Sequence, residues 1–307
     1  MNTASLVRLC ALAALWGGSF LFMRVAVPVL GAVPTAFGRV LLATLGLLAL
    51  MGGWRLRKAF GDKLGATLVL GVVSSGIPFL MYALAARTLP AGYSAILNAT
   101  TPLMGVLVGV LAFGERITPA RTAGVVLGIA GVVLLSQAGP LAWSPAVAGG
   151  LAACLVATAC YAVAGFLTRR WITERGGLDS KLVALGSQVG ATLVLLPCLA
   201  WALWQRPALP SQWAQAPAVA WLSLLGLGLA CTSLAYVLYF RLIADVGPMK
   251  AMTVTFLIPV FGVGWGWLLL GEPLSLAHAL GGGLIAAALW LVLRPVPARP
   301  VVPAAAK

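Results

Sequence analysis

Apolar and polar positions alternate along this chain on a long wavelength. Runs of about 20 apolar residues, separated by short clusters of Arg, Lys, Pro and Gly, follow one another from end to end. A helix of that length crosses roughly 30 Å of hydrocarbon. The runs predict ten spanning helices, near residues 5–27, 34–54, 64–86, 91–113, 120–137, 146–168, 181–204, 217–240, 247–270 and 275–293. The longest polar pieces, WRLRKAFGDK at 54–63, RRWITERGGLDSK at 169–181 and WQRPALPSQWAQAP at 204–217, are too short to fold alone and read as connectors. The first run follows Arg8 as a secretory signal would, but it continues to Val27 and meets nine more, so it reads as a mature helix. The expected fold class is an all-α polytopic membrane protein.

Composition agrees: 62% hydrophobic residues, 8% charged residues and a mean hydropathy of +1.05 cannot be hidden in one soluble core. The net charge of +14 raises the question of nucleic acid, and its distribution answers against it. With both termini cytoplasmic, all twenty Lys and Arg except Arg24, Arg39, Arg87 and Arg206 fall on the cytoplasmic side, so the charge reads as a topology signal. The five cysteines lie inside predicted spans with no metal or disulfide spacing, and no cofactor is expected.

The chain also repeats itself. PLMGVLVGVLAFGE at 102–115 returns as PVFGVGWGWLLLGE at 259–272, pairing Pro102 with Pro259, Gly105 with Gly262, Gly109 with Gly266 and Glu115 with Glu272. The register extends to Tyr82 with Tyr239 and Gly124 with Gly281, and WGGSFLFMR at 16–24 echoes in YAVAGFLTR at 161–169. This predicts two five-helix repeats, residues 1–143 and 144–307, forming one membrane domain; an odd number of spans turns the second repeat upside down. Inverted repeats can open a central site to each side in turn, which is how a transporter is built.

Pro102 and Pro259 lie mid-span, where proline removes a donor, so each helix is expected to kink or break and line the centre. Gly105 with Gly109, and Gly262 with Gly266, form small-xxx-small faces for close packing. Glu115 and Glu272 end their spans; each is expected to cap the helix that follows or pair with a base, or, more sharply, to latch one face closed. Candidate cavity groups are Trp16, Ser19, Tyr82, Asn98, Thr101, Tyr161, Tyr236 and Tyr239, with Ser74 and Gln188 as further polar positions. Arg39 reads most simply as snorkelling from the end of its span, with carboxylate binding as the other reading. No Asp or Glu falls mid-membrane, which argues for facilitated or exchange transport, or for coupling through the substrate's own charge.

The motifs ALWGGSF, FGRVLLA, the Pro followed by GE in both halves, and GVVLGIAGVVLL together resemble the EamA-type carriers of the drug/metabolite transporter superfamily, over nearly the whole chain. The resemblance implies ten helices in an inverted five-plus-five arrangement, a place in a bacterial inner membrane with both termini cytoplasmic, and export of amino acids or related metabolites. It places Trp16, Tyr82, Asn98, Thr101, Tyr161 and Tyr239 around a central cavity. The chain departs from the pattern at Tyr161, where Trp is common, and at Met249–Lys250, where small residues are usual. The expected partners are a small-molecule substrate and the lipid bilayer, with one chain sufficing. An aromatic lining suits apolar amino acids, with backbone groups at the two proline breaks holding their polar end. Drug export by the same fold, a passive pore and a lipid-modifying membrane enzyme are the rivals, the last weakened by scattered acids and a single histidine.

Overall fold

The computed structural model describes residues 2–52, 59–115, 117–137, 142–251 and 253–293, with the backbone alone at 136, 137, 248, 249 and 293. Arg55, Arg57, Lys58, Arg116, Arg294, Arg299 and Lys307, which enter the charge argument, lie outside the described residues, as does the side chain of Met249. Among the described residues every regular element is a helix and no strand forms.

Helix α1 (Thr3–Leu30) starts where the Asn2 side chain accepts the Ser5 N–H at 2.9 Å, satisfying one orphan donor of the first turn. It ends at Gly31, whose φ of 92° suits glycine, and α2 (Ala32–Leu50) follows directly. The continuous rod α3 (Gly61–Ala85) widens into a π-turn at Val72–Gly76. Next come α4 (Ala91–Asn98) and α5 (Thr101–Phe113), which meet at a 45° bend, and α6 (Pro119–Gln137). In the second half, α7 (Pro145–Trp171) starts from a Ser144 cap and α8 (Ser180–Gln205) from an Asp179 cap. The short α9 (Leu209–Ala214) leads to α10 (Ala218–Val246), which carries a π-stretch at Gly226–Leu234. Last are α11 (Pro248–Ala251), α12 (Val254–Leu270) and α13 (Leu276–Leu293).

By length and apolar composition α1, α2, α3, α7, α8 and α10 can each cross a membrane, and α4 with α5 makes a seventh if the bent pair is one span. The predicted fifth, ninth and tenth runs are the apolar helices α6, α12 and α13, of 19, 17 and 18 residues. The outside of the bundle is apolar, with Leu111 84%, Leu276 72% and Val260 65% exposed, whereas Thr35, Arg39, Ser75, Gln188 and Thr232 are buried. That is the distribution of a chain whose solvent is lipid and whose polar groups find partners inside.

Packing joins elements from opposite halves. Helix α1 lies against α10 and α12, while α7 lies against α3 and the α4–α5 pair; α2 packs on α8 and on the π-stretch of α10, α8 on α3, and α6 on α13. The α3–α8 seam is backbone on backbone: a methyl group at Gly71 would stand 2.0 Å from the Ser187 carbonyl oxygen, and one at Gly190 2.0 Å from that of Leu68.

One expectation about the proline breaks needs correcting. Pro102 sits in the first turn of α5, where its missing N–H costs nothing, but Pro259 lies inside the continuous α12. In the second half a turn stands earlier, at Thr253, just ahead of α12. A threonine marks both breaks: the Thr100 hydroxyl donates to the Leu97 carbonyl at 2.7 Å, and that of Thr253 to the Lys250 carbonyl at 2.7 Å. The Thr158 hydroxyl makes the same bond to the Leu155 carbonyl inside the continuous α7, so the bond accompanies the breaks and does not by itself make them.

Candidate functional site

A central cavity of about 240 Å³ lies beside the α4–α5 break and the π-stretch of α10. Helix α1 contributes Trp16, Ser19, Phe20 and Met23, α2 Arg39, and α3 Phe79 and Tyr82. The α4–α5 junction adds Asn98 and Thr101, α7 Tyr161, α10 Cys231, Thr232 and Tyr236, and α12 Thr255 and Ile258. Pockets that hold drug-sized ligands measure about 300–1,000 Å³, so this space suits a smaller metabolite. A larger groove of about 550 Å³ lies by Pro259, Trp267 and His278, but its walls are apolar apart from Ser275 and His278, and Val260 and Trp267 on its rim are well exposed. The polar chemistry is in the smaller space.

The aromatic walls are interlocked. Trp16 meets Tyr239 with ring centroids 5.3 Å apart, Phe20 meets Tyr82 edge-on at 5.3 Å, and Tyr82 stacks on Tyr161 at 6.3 Å. The Tyr82 hydroxyl donates to Asn98 Oδ1 at 2.9 Å, tying α3 to the break between α4 and α5. The hydroxyls of Ser19 and Thr101 donate to the carbonyls of Trp16 and Asn98, each at 2.7 Å. Arg39, 5% exposed, is buried here: its guanidinium carbon lies 3.6 Å from the Phe79 ring centroid, and its Nε donates to Thr232 Oγ1 at 3.1 Å. Thr232 is available at that point because the wide π-turn lets its hydroxyl bond the Leu227 carbonyl five residues back at 2.8 Å. Tyr82→Phe keeps the packing and removes one hydrogen bond; we expect a loss of about 0.5–1.5 kcal/mol, measured by thermal unfolding in detergent.

Two glutamates follow the ends of α5 and α12. Glu272 does not cap the helix that follows it. It reaches across to α4, accepting the Ala91 N–H at 2.8 Å and the Gly92 N–H at 3.3 Å. Gly266 makes room, since a Cβ there would stand 2.3 Å from Glu272 Oε2. Glu115 is 41% exposed and, among the described residues, its ion-pair partner is Arg121, at 3.9 Å.

The profile of the EamA-like transporter family matches this chain twice, over residues 4–137 and 148–294. The chain belongs to that family. Among its relatives, the threonine/homoserine exporter RhtA of Escherichia coli K12 is 31% identical over 288 residues, covering 92% of this chain and 88% of that one. The protein described as "Probable terminal-alkyne amino-acid exporter" of Streptantibioticus cattleyicolor is 26% identical over 282 residues, 91% and 90% of the two chains. The uncharacterized inner membrane transporter YedA of Escherichia coli K12 is 28% identical over 302 residues, 96% and 93%. A solved structure, 18% identical, matches with a TM-score of 0.58 over 95% of this chain and 97% of that one, which speaks for the fold alone. Like its family, the chain is a transporter in a membrane and not an enzyme.

In this EamA-like transporter, seven of the eight cavity candidates come together: Trp16, Ser19, Tyr82, Asn98, Thr101, Tyr161 and Tyr236 line the space, while Tyr239 stands behind Trp16. Gln188 is elsewhere, its amide donating to Ser75 Oγ at 2.8 Å between α8 and α3. Gly262 packs as its small-residue face predicts, a Cβ there meeting that of Ala95 at 2.3 Å, whereas among the described residues a Cβ at Gly105 meets nothing within 4 Å. Arg39 does not snorkel; it points to the centre. Sequence reasoning passed over Phe79 and Thr232, since an apolar ring and a threonine in a π-turn carry no mark of their own.

Proposed function

We propose that this chain exports small metabolites, foremost amino acids with apolar or aromatic side chains, by alternating access through the central cavity. The observation that carries the reading is a metabolite-sized, aromatic-walled space at the meeting point of helices from both halves of an EamA-like transporter. Relatives named as amino-acid exporters support export of amino acids, and the preference for apolar or aromatic side chains rests on the aromatic walls alone.

In this reading all ten apolar runs cross a bacterial inner membrane, as five-helix units of opposite orientation. Support comes from the family profile matching each half and from contacts that exchange between halves: α1 against α10 and α12, α7 against α3 and α4–α5. Both α3 and α10 carry π-turns, and both Gly114 and Gly271 end their helices in the left-handed region, at φ 68° and 65°. With the termini cytoplasmic, the Glu272 end faces outward and is latched onto α4. The Glu115 end faces the cytoplasm, and there, among the described residues, the carboxylate pairs with Arg121 and is 41% exposed. The described conformation is then the inward-open half of the cycle. One chain contains both halves of the gate and works as a monomer.

Purified protein in liposomes is expected to show saturable uptake of labelled Trp or Phe, stimulated by unlabelled substrate on the opposite side. Non-saturable flux without countertransport would make it a pore, and transport of Thr or Cys alone would move the substrate class away from aromatic side chains.

A further inference from the structure

Among the described residues Arg39 is the one charged group lining the cavity, and no carboxylate in the protein answers it. The sequence has six acidic residues, all among the described positions. Asp62 lies beside Lys63, Glu115 beside Arg121 and Glu174 beside Arg169. Asp179 caps α8, accepting the Lys181 N–H; Asp245 pairs with Arg8 and Arg241; and Glu272 holds the N-terminus of α4. The partners that Arg39 does have are neutral: the Thr232 hydroxyl, the Met23 sulfur at 4.0 Å, and the face of Phe79. Two of its N–H donors are thereby used, the sulfur being a weak acceptor, and the guanidinium keeps further donors in a fixed fork suited to a carboxylate.

A cation buried among aromatic rings without a counter-charge is costly unless something supplies one. We propose that the substrate supplies it: Arg39 is the carboxylate-binding group of the cavity, and a carboxylate is the part of the substrate that must be present. This deepens, and rests on, the carrier reading. A single cation in a space of about 240 Å³ fits a monoanionic carboxylate better than a phosphate dianion, which would draw on several donors of positive charge. The cavity offers no acid to an ammonium group, so amines lacking a carboxylate are excluded, while carboxylates lacking an amino group bind. The backbone at the breaks is not needed for this end of the substrate.

The test measures thermal stabilisation of the purified full chain by 3-phenylpropionate, phenethylamine, and the pairs L-phenylalanine with L-phenylalaninamide and L-threonine with L-threoninamide, alongside liposome flux. The wild type should be stabilised by the carboxylates of at least one set and by neither the amine nor the amides. Arg39→Gln should weaken that binding by about 30-fold or more, and Arg39→Lys should restore part of it. Stabilisation by phenethylamine or the amides equal to that by the carboxylates would overturn the proposal, as would undiminished carboxylate binding in Arg39→Gln or no carboxylate binding at all. Flux judges the carrier reading separately: selective binding without flux keeps the site and removes the carrier, and flux without carboxylate selectivity does the reverse.

Discussion

Glu272→Ala opens the end of the bundle that Glu272 now closes. Its carboxylate accepts two N–H groups at the first turn of α4, an eight-residue helix whose N-terminus has no side-chain cap of its own. Charge-assisted hydrogen bonds of this kind contribute about 1.5–3 kcal/mol, and the helix dipole adds to them. Losing them shifts the balance between closed and open by roughly 10- to 100-fold. The readout is a Thr101→Cys probe in the cavity wall, in a background whose own cysteines are replaced, labelled in vesicles by a maleimide that cannot cross the membrane. Labelling from the Glu272 side should rise by that factor in Glu272→Ala and by less in Glu272→Gln, which keeps an acceptor oxygen but loses the charge. Glu115→Ala should change little, since that carboxylate is partly exposed and stands 3.9 Å from Arg121. Equal labelling in parent and Glu272→Ala would remove the latch. The sequence contains a reason for the inequality: in the repeat register Ala91 and Gly92 align with Pro248 and Met249, and proline has no N–H to offer.

Gly190→Val is expected to abolish the folded protein or lower its unfolding temperature more than any cavity substitution. A Cβ added at Gly71 or at Gly190 would stand 2.0 Å from a main-chain oxygen of the opposing helix, so no rotamer change relieves the clash. Overpacking a side-chain contact costs about 1–3 kcal/mol, and a seam that must separate α3 from α8 along its length loses more than that. Thermal unfolding in detergent of Gly190→Ala and Gly190→Val should show graded losses. As a control, Gly65→Ala, at a position with nothing within 4 Å, should be neutral or slightly stabilising through helix propensity. Unchanged unfolding in Gly190→Val would show that the two helices separate freely.

The membrane class, the helix positions and most of the cavity residues were legible in the chain, because each depends on a signal that is local or additive. A run of apolar residues reads as a span wherever it lies, and polar or amphipathic side chains inside such runs need partners within the bundle, which is how Trp16, Tyr82, Asn98, Thr101, Tyr161 and Tyr236 could be named together. Partnership was not legible. Glu272 acts 180 residues away, on Gly92, and no local rule distinguishes that from capping the next helix. Pro259 did not mark a break: the helix runs on through it, and the turn lies earlier, at Thr253. Arg39 sits near one end of its own run and reads as a snorkelling residue, yet the wide turn of α10 delivers the Thr232 hydroxyl to it and Phe79 covers it. Spans and their inward faces follow from hydropathy along one helix, whereas which charge meets which donor depends on how separate helices cross, and only the tertiary structure decides that.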